Sequence, residues 1–213
     1  MRTIMVINAK GGCGKTTLAT NLAGYFAWER EQRVAIADFD PQLSSLDWLK
    51  QRPEEYPEII GIDASDGHFT TPHNVDVVIL DVPAAVHGKT LTSLVRRAES
   101  LIIPVLPSPI DMRACAHFIE ELLLVGKVNR HEVKLAVVAN RVKENTIIFH
   151  TLEKFLRRLK IPRIGTLRDT QNYIRAAERG LSIFELAPSM VAHDLEQWQS
   201  ITRWVNSKRS RVE

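Results

Sequence analysis

Ile4-Met5-Val6-Ile7-Asn8-Ala9-Lys10-Gly11-Gly12-Cys13-Gly14-Lys15-Thr16-Thr17 is an apolar run that breaks into a glycine-rich turn and then into a helical pattern. A buried strand feeding such a turn and helix aims successive backbone N–H groups and the positive helix end at one point, which makes a site for polyphosphate. The turn follows G-x-x-x-x-G-K-[ST] except at the first glycine, where Ala9 stands. Gly11, Gly12, Cys13 and Gly14 form the loop. Lys15 is expected on the β- and γ-phosphates of ATP, Thr16 on Mg²⁺ through its hydroxyl, and Thr17 on the α-phosphate. Lys10 has no place in that scheme. It points away from phosphates that Lys15 already neutralises, so it is expected either to reach a nucleotide held by a second copy of the chain or to be an ordinary solvated lysine.

Two carboxylate segments complete a site. Val34-Ala35-Ile36-Ala37-Asp38-Phe39-Asp40-Pro41-Gln42 reads as an apolar strand that ends in aspartates at alternate positions and is stopped by proline. Asp76-Val77-Val78-Ile79-Leu80-Asp81-Val82-Pro83 reads as a fully buried strand whose terminal Asp81 emerges toward the Mg²⁺ shell. Three strand ends thus converge on one crevice, where open parallel sheets bind ligands.

Together the segments Lys10 to Thr17, Asp38 to Gln42 and Val78 to Pro83 resemble the deviant Walker A, Walker A′ and Walker B motifs of the ParA/MinD ATPases. Ile102-Ile-Pro104-Val-Leu-Pro107-Ser-Pro109-Ile-Asp111 is similar to the stretch that follows the fifth strand in short ParA-type partition proteins. The resemblance implies an α/β P-loop NTPase fold, mostly parallel, with helices on both faces of the central sheet. It implies Lys10 as a signature lysine acting across an ATP-bound homodimer, Asp40 as the switch residue that positions the attacking water, and Asp38 and Asp81 in the metal shell. It also places an adenine-contacting Asn at Asn140, a residue that turn chemistry alone would equally permit after the apolar run Leu135 to Ala139. The implied activity is slow hydrolysis of ATP, stimulated by an adaptor of ParB or McdB type. The implied biology is the partition of a plasmid, or the positioning of a large assembly such as a carboxysome, along nonspecific double-stranded nucleoid DNA.

The mechanism follows from phosphoryl-transfer chemistry, which needs neutralised γ-phosphate charge and an oriented in-line water. If Lys10 comes from a partner subunit, full compensation exists only in the dimer. ATP then promotes dimerisation and hydrolysis undoes it.

With 213 residues, a formal net charge of +3 and two cysteines, the chain fits one domain, 1–213, expected to be cytoplasmic and nucleoid-associated. No signal peptide and no transmembrane run is expected. Strands are expected near 2–8, 33–38, 76–82, 100–106 and 133–139, alternating with helices near 15–30, 43–51, 89–98, 111–128 and 147–159. Weaker strand patterns cover 58–62 and 163–165. A helix is expected around Asn172 to Arg179, stopped by Gly180, and a last one after Pro188.

The charges are segregated: Glu29 to Asp66 holds ten acidic and four basic residues, whereas Lys127 to Arg163 holds ten basic and three acidic. Lys127, Arg130, Arg157, Arg158, Lys160, Arg163, Arg168, Arg175 and Arg179, with Lys134, Lys154 and the tail Lys208-Arg209-Ser210-Arg211, are candidates for a face that binds DNA phosphates without reading bases. Solvated helix faces are the plain alternative. Other readings are a MinD-like membrane anchor in the last helix, a pure ATP switch, and an iron–sulfur relative using Cys115. The membrane reading meets an almost apolar-free tail after Val205, and the cluster reading lacks paired thiols. The histidines lack metal spacing, and Trp28, Trp48, Phe118 and Phe155 are expected to pack on the sheet.

Overall fold

The computed structural model describes residues 1–84, 86–124 and 133–212. Its strands are β1 (Arg2–Val6), β2 (Val34–Asp38), β3 (Ile59–Asp63), β4 (Val77–Asp81), β5 (Ser100–Val105), β6 (Lys134–Val142) and β7 (Arg163–Arg168). They form one seven-stranded sheet in the order β3-β2-β4-β1-β5-β6-β7, and every pairing is parallel. The helices are α1 (Lys15–Trp28), α2 (Ser44–Lys50), α3 (Gly88–Val95), α4 (Pro109–Leu124), α5 (Ile147–Arg158), α6 (Asn172–Ala177) and α7 (Pro188–Val205).

Strands covered on both faces must be apolar throughout, and β1, β2, β4 and β5 are buried at every residue. Their side chains alternate between two cores. Met5, Leu80 and Ile103 face one core with Leu91 of α3, Phe118 of α4 and Leu156 of α5. Ile4, Ile36 and Ile79 face the other with Leu22 of α1, Trp48 of α2, Ala176 of α6 and Trp198 of α7.

The edge strands are those that read weakly in the sequence. Among the described residues β3 pairs only with β2, and after the buried Ile59 it alternates half-buried and exposed positions. The charge polarity of the chain becomes spatial here, because the acidic segment builds the β2–β3 edge and the basic segment builds the opposite edge around β6, α5 and β7.

α7 buries Val191, Trp198, Ile201 and Val205 in the second core, so its apolar stripe is not a membrane-facing surface. The short 3₁₀ turn Lys208–Ser210 is fastened to the sheet. The Arg2 guanidinium donates to the Val205 carbonyl and, at 2.6 Å, to the Ser210 hydroxyl, while Ser100 donates to the Ser210 carbonyl. Among the described residues no helix is long and apolar enough to cross a membrane. Trp28 departs from expectation: as the last residue of α1 it overhangs the core, 43% exposed, with its ring tilted against Tyr56 at 5.6 Å between centroids.

Candidate nucleotide-binding site

β1 lies between β4 and β5, where the strand order turns back on itself, and a cleft opens over the strand ends at this switch point. Its volume is about 690 Å³. Gly11, Gly12, Gly14, Lys15, Thr16 and Thr17 line one end, and Asp40 and Asp81 face them from the ends of β2 and β4.

The loop is held by its own backbone. Asn8, buried at the end of β1, donates to the Pro104 carbonyl at 2.7 Å and accepts from Lys10 N at 3.2 Å. Lys15 Nζ and Cys13 Sγ both donate to the Lys10 carbonyl at 3.2 Å. The Lys10 side chain is half-buried and is not among the groups lining the cleft. Gly14 caps α1 with φ 91°, and a Cβ there would lie 2.2 Å from Asn140 Nδ2. Asn140 uses that nitrogen to donate to the Cys13 carbonyl at 2.8 Å. The residue expected at the adenine thus braces the phosphate loop with one of its two amide hydrogens.

The three aspartates have different surroundings. Asp38 is fully buried and both its oxygens are engaged: one accepts from Asp40 N at 2.9 Å, the other from Ser45 N at 2.9 Å and Ser45 Oγ at 2.7 Å. The carboxylate expected in the metal shell at Asp38 thus also holds the turn that presents Asp40 and the start of α2. Asp81, its neighbour in register, is different. It is 2% exposed and its Oδ2 has no partner, while the Thr16 hydroxyl bonds to the same carboxylate. Burial pushes the Asp81 carboxyl up to about 7, helped by the charges of Asp38 and Asp40 and opposed by Thr16 and Lys15. A buried, unpartnered carboxylate oxygen beside a hydroxyl is the donor chemistry Mg²⁺ prefers, so Asp81 and Thr16 fit that ion.

The far end of the cleft was anticipated only at Asn140. Asn140, Arg141, Arg168, Asp169, Thr170, Tyr173 and Ile174 line it. Arg168 is therefore not part of an open cationic face: it is paired with buried Asp194 of α7 at 2.5 Å. Arg163 is likewise paired, with Glu153 at 2.9 Å. Arg157, Arg158, Lys160, Arg175 and Arg179 are exposed, but α5 and α6 pack on opposite faces of the sheet, and Arg179 precedes Gly180, whose carbonyl accepts from Arg52 after α2, so these cations do not share one face. Lys127 and Arg130 lie outside the described residues. The signal for the far end was present in the sequence, since Arg168 to Thr170 follow a strand, and ligands bind at strand ends.

Both cysteines are buried, and burial pushes the Cys115 thiol up to about 12, far from a thiolate ligand. No group of metal-ligating His, Cys, Asp and Glu side chains occurs among the described residues.

A family model described as the CobQ/CobB/MinD/ParA nucleotide binding domain matches residues 4–183. The chain is similar to the maintenance of carboxysome distribution protein A of Halothiobacillus neapolitanus, 30% identical over 192 residues covering 86% of this chain and 87% of that protein. In fold it is similar to a variant of McdA from Cyanothece in complex with ATP, with a TM-score of 0.71 at 17% identity over 95% and 96% of the two chains. It is also similar to a chain of the MinC:MinD cell division complex of Aquifex aeolicus, with a TM-score of 0.73 at 18% identity over 98% and 97%. The loop, the two carboxylate-ended strands around it and the matched family model agree, and the chain belongs to the ParA/MinD family of nucleotide-binding ATPases.

Proposed function

We propose that this chain is an ATPase that dimerises on ATP, binds nonspecific double-stranded DNA in that state, and positions a cargo through an adaptor that stimulates hydrolysis. The carboxysome named in the relative from Halothiobacillus favours a large protein assembly as the cargo over a plasmid, with an adaptor of McdB type.

Lys15 and the backbone N–H groups of the loop hold the phosphates. Asp40, tethered by Asp38 and exposed to the cleft, orients the attacking water. Thr16 and Asp81 would hold Mg²⁺, which supplies charge neutralisation on the phosphates. The observation that carries the reading is Lys10, a lysine built into the loop whose side chain does not line its own cleft. Supplied to the partner's nucleotide, it completes the charge compensation that one subunit lacks. The exposed cations of α5 and the turn after it, Arg157, Arg158 and Lys160, provide the DNA contact. The buried stripe of α7 disfavours the membrane reading, and the buried thiols disfavour the cluster reading.

Light scattering with Mg-ATP and with Mg-ADP tests this. The mass should double with ATP alone, and both Lys10→Ala and Lys15→Ala should stay monomeric. A Lys10→Ala protein that dimerises like wild type overturns the role given to Lys10.

A further inference from the structure

We infer that the outer edge of β3, with the groove at its start, docks an extended basic segment of another protein, which adds a strand to the sheet and seats an apolar side chain against Trp28. The inference stands apart from the nucleotide reading, because it concerns the end of the sheet where the strands begin.

The groove encloses about 740 Å³. Trp28, Pro57 and Ile60 give it apolar walls, and Glu31 and Glu58 stand on it. Trp28, tilted against Tyr56, is 43% exposed, whereas the other three tryptophans, Trp48, Trp198 and Trp204, are buried. Tryptophan left open at a groove is the residue type enriched where proteins meet.

The two edges of the sheet differ. β7 meets β6 with register shifts between Val137 and Val138 and between Ala139 and Val142, irregularities that spoil an edge as a template. β3 pairs with β2 in unbroken register from Ile59 to Asp63, and neither proline nor lysine interrupts Ile59-Ile60-Gly61-Ile62. Among the described residues no strand covers its other side. A regular edge of this kind offers its backbone N–H and C=O groups to an incoming strand.

Charge decides the occupant. Glu54 to Asp66 holds five carboxylates, Glu54, Glu55, Glu58, Asp63 and Asp66, all exposed, and no lysine or arginine. Arg33 and His73 also line the groove, and they leave the carboxylates of β3 and its flanks in excess. Two copies joined edge to edge would bring these carboxylates together. The edge therefore opposes a second copy and suits lysines and arginines alternating with apolar residues.

The test uses capped synthetic Arg-Leu-Lys-Val-Arg-Leu-Lys, its analogue with Glu at every basic position, and two forms N-methylated at alternate residues in opposite phase. The basic peptide should bind by anisotropy, more weakly as salt rises, and should move tryptophan emission to shorter wavelength, a shift absent from Trp28→Phe. The Glu analogue should not bind. Successive residues of a strand present their N–H groups to opposite edges, so one N-methylated form should lose binding by on the order of tenfold or more and the other should keep it. Glu31→Lys with Glu58→Lys should weaken the basic peptide by on the order of tenfold and leave Mg-ATP affinity unaltered. The N-methylated pair reads wild type alone, so the test stands whether or not that double variant folds. Equal binding of the Glu analogue, equal affinity of the two N-methylated forms, or emission that does not move would each overturn the inference. A chain that is dimeric without nucleotide, and whose dimer the basic peptide breaks, would also overturn it, since the edge would then belong to a second copy.

Discussion

At Gly14 a missing Cβ serves two ends. The residue holds φ 91°, and its empty side accommodates the Asn140 amide, which a Cβ would approach to 2.2 Å. Gly14→Ala should therefore both strain the loop and push Asn140 off the Cys13 carbonyl, and calorimetry should show ATP affinity reduced by tenfold or more. Asp81 gives a pH signature. Its folded pKa, about 7, lies above the ordinary carboxylate value of 3.8, so the folded state holds a proton that the unfolded chain has released. Stability from this group is present below about pH 4 and is lost as pH rises toward 7. Asp81→Asn should match wild type near pH 4 and exceed it by roughly 2–4 kcal/mol near pH 8 in urea unfolding without Mg²⁺. Equal stability of the two proteins at pH 8 would show that burial of Asp81 carries no such cost. The residues of this end were legible because loop, Asp40 and Asp81 each sit in an unbroken stretch with a strand before it. Asn8 and Asn140 brace that loop from strand ends far apart in sequence, and no local pattern announces such a contact.

At the scale of elements, the sequence pattern located the buried strands and the helices between them and missed the side-chain fastenings across them. Runs such as Val77 to Asp81 are apolar at every position because helices cover both faces. β3 and β7 are edges, so their patterns are diluted and their bounds shift. The wall of the cleft from Arg168 to Ile174 was missed for the same reason: it hangs from the weak strand β7 and is fastened by Asp194 on a helix about two dozen residues later. A second fastening ties α2 to the turn before α7. Arg52 pairs with Glu185, both side chains nearly inaccessible, donates to the Gly180 carbonyl at 3.1 Å, and lies over the rings of Trp48 and Tyr56. Glu185→Ala leaves the Arg52 charge without its carboxylate and should cost about 3–5 kcal/mol in chemical denaturation. A loss under 1 kcal/mol would mean that the Gly180 carbonyl and the Pro57 carbonyl, which accepts from Arg52 Nε at 2.9 Å, suffice for the guanidinium.

For the molecule as a whole, the sheet order converts a linear charge gradient into two oppositely charged edges, β2–β3 and β6–β7, with the nucleotide cleft over the strand ends between them. DNA contact through the exposed cations of α5, as proposed, would be electrostatic and independent of base sequence, so it should weaken steeply with salt. On the proposed reading an ATP dimer doubles that surface and so makes binding switchable, with Lys10 connecting the nucleotide to the dimer. The most direct measurement is retention on nonspecific double-stranded DNA at fixed moderate salt, with ATP, with ADP and without nucleotide, for wild type and Lys10→Ala. The account predicts retention only for wild type with ATP, falling to the ADP level in Lys10→Ala. Retention that is the same with ATP and ADP, or that survives Lys10→Ala, would contradict it.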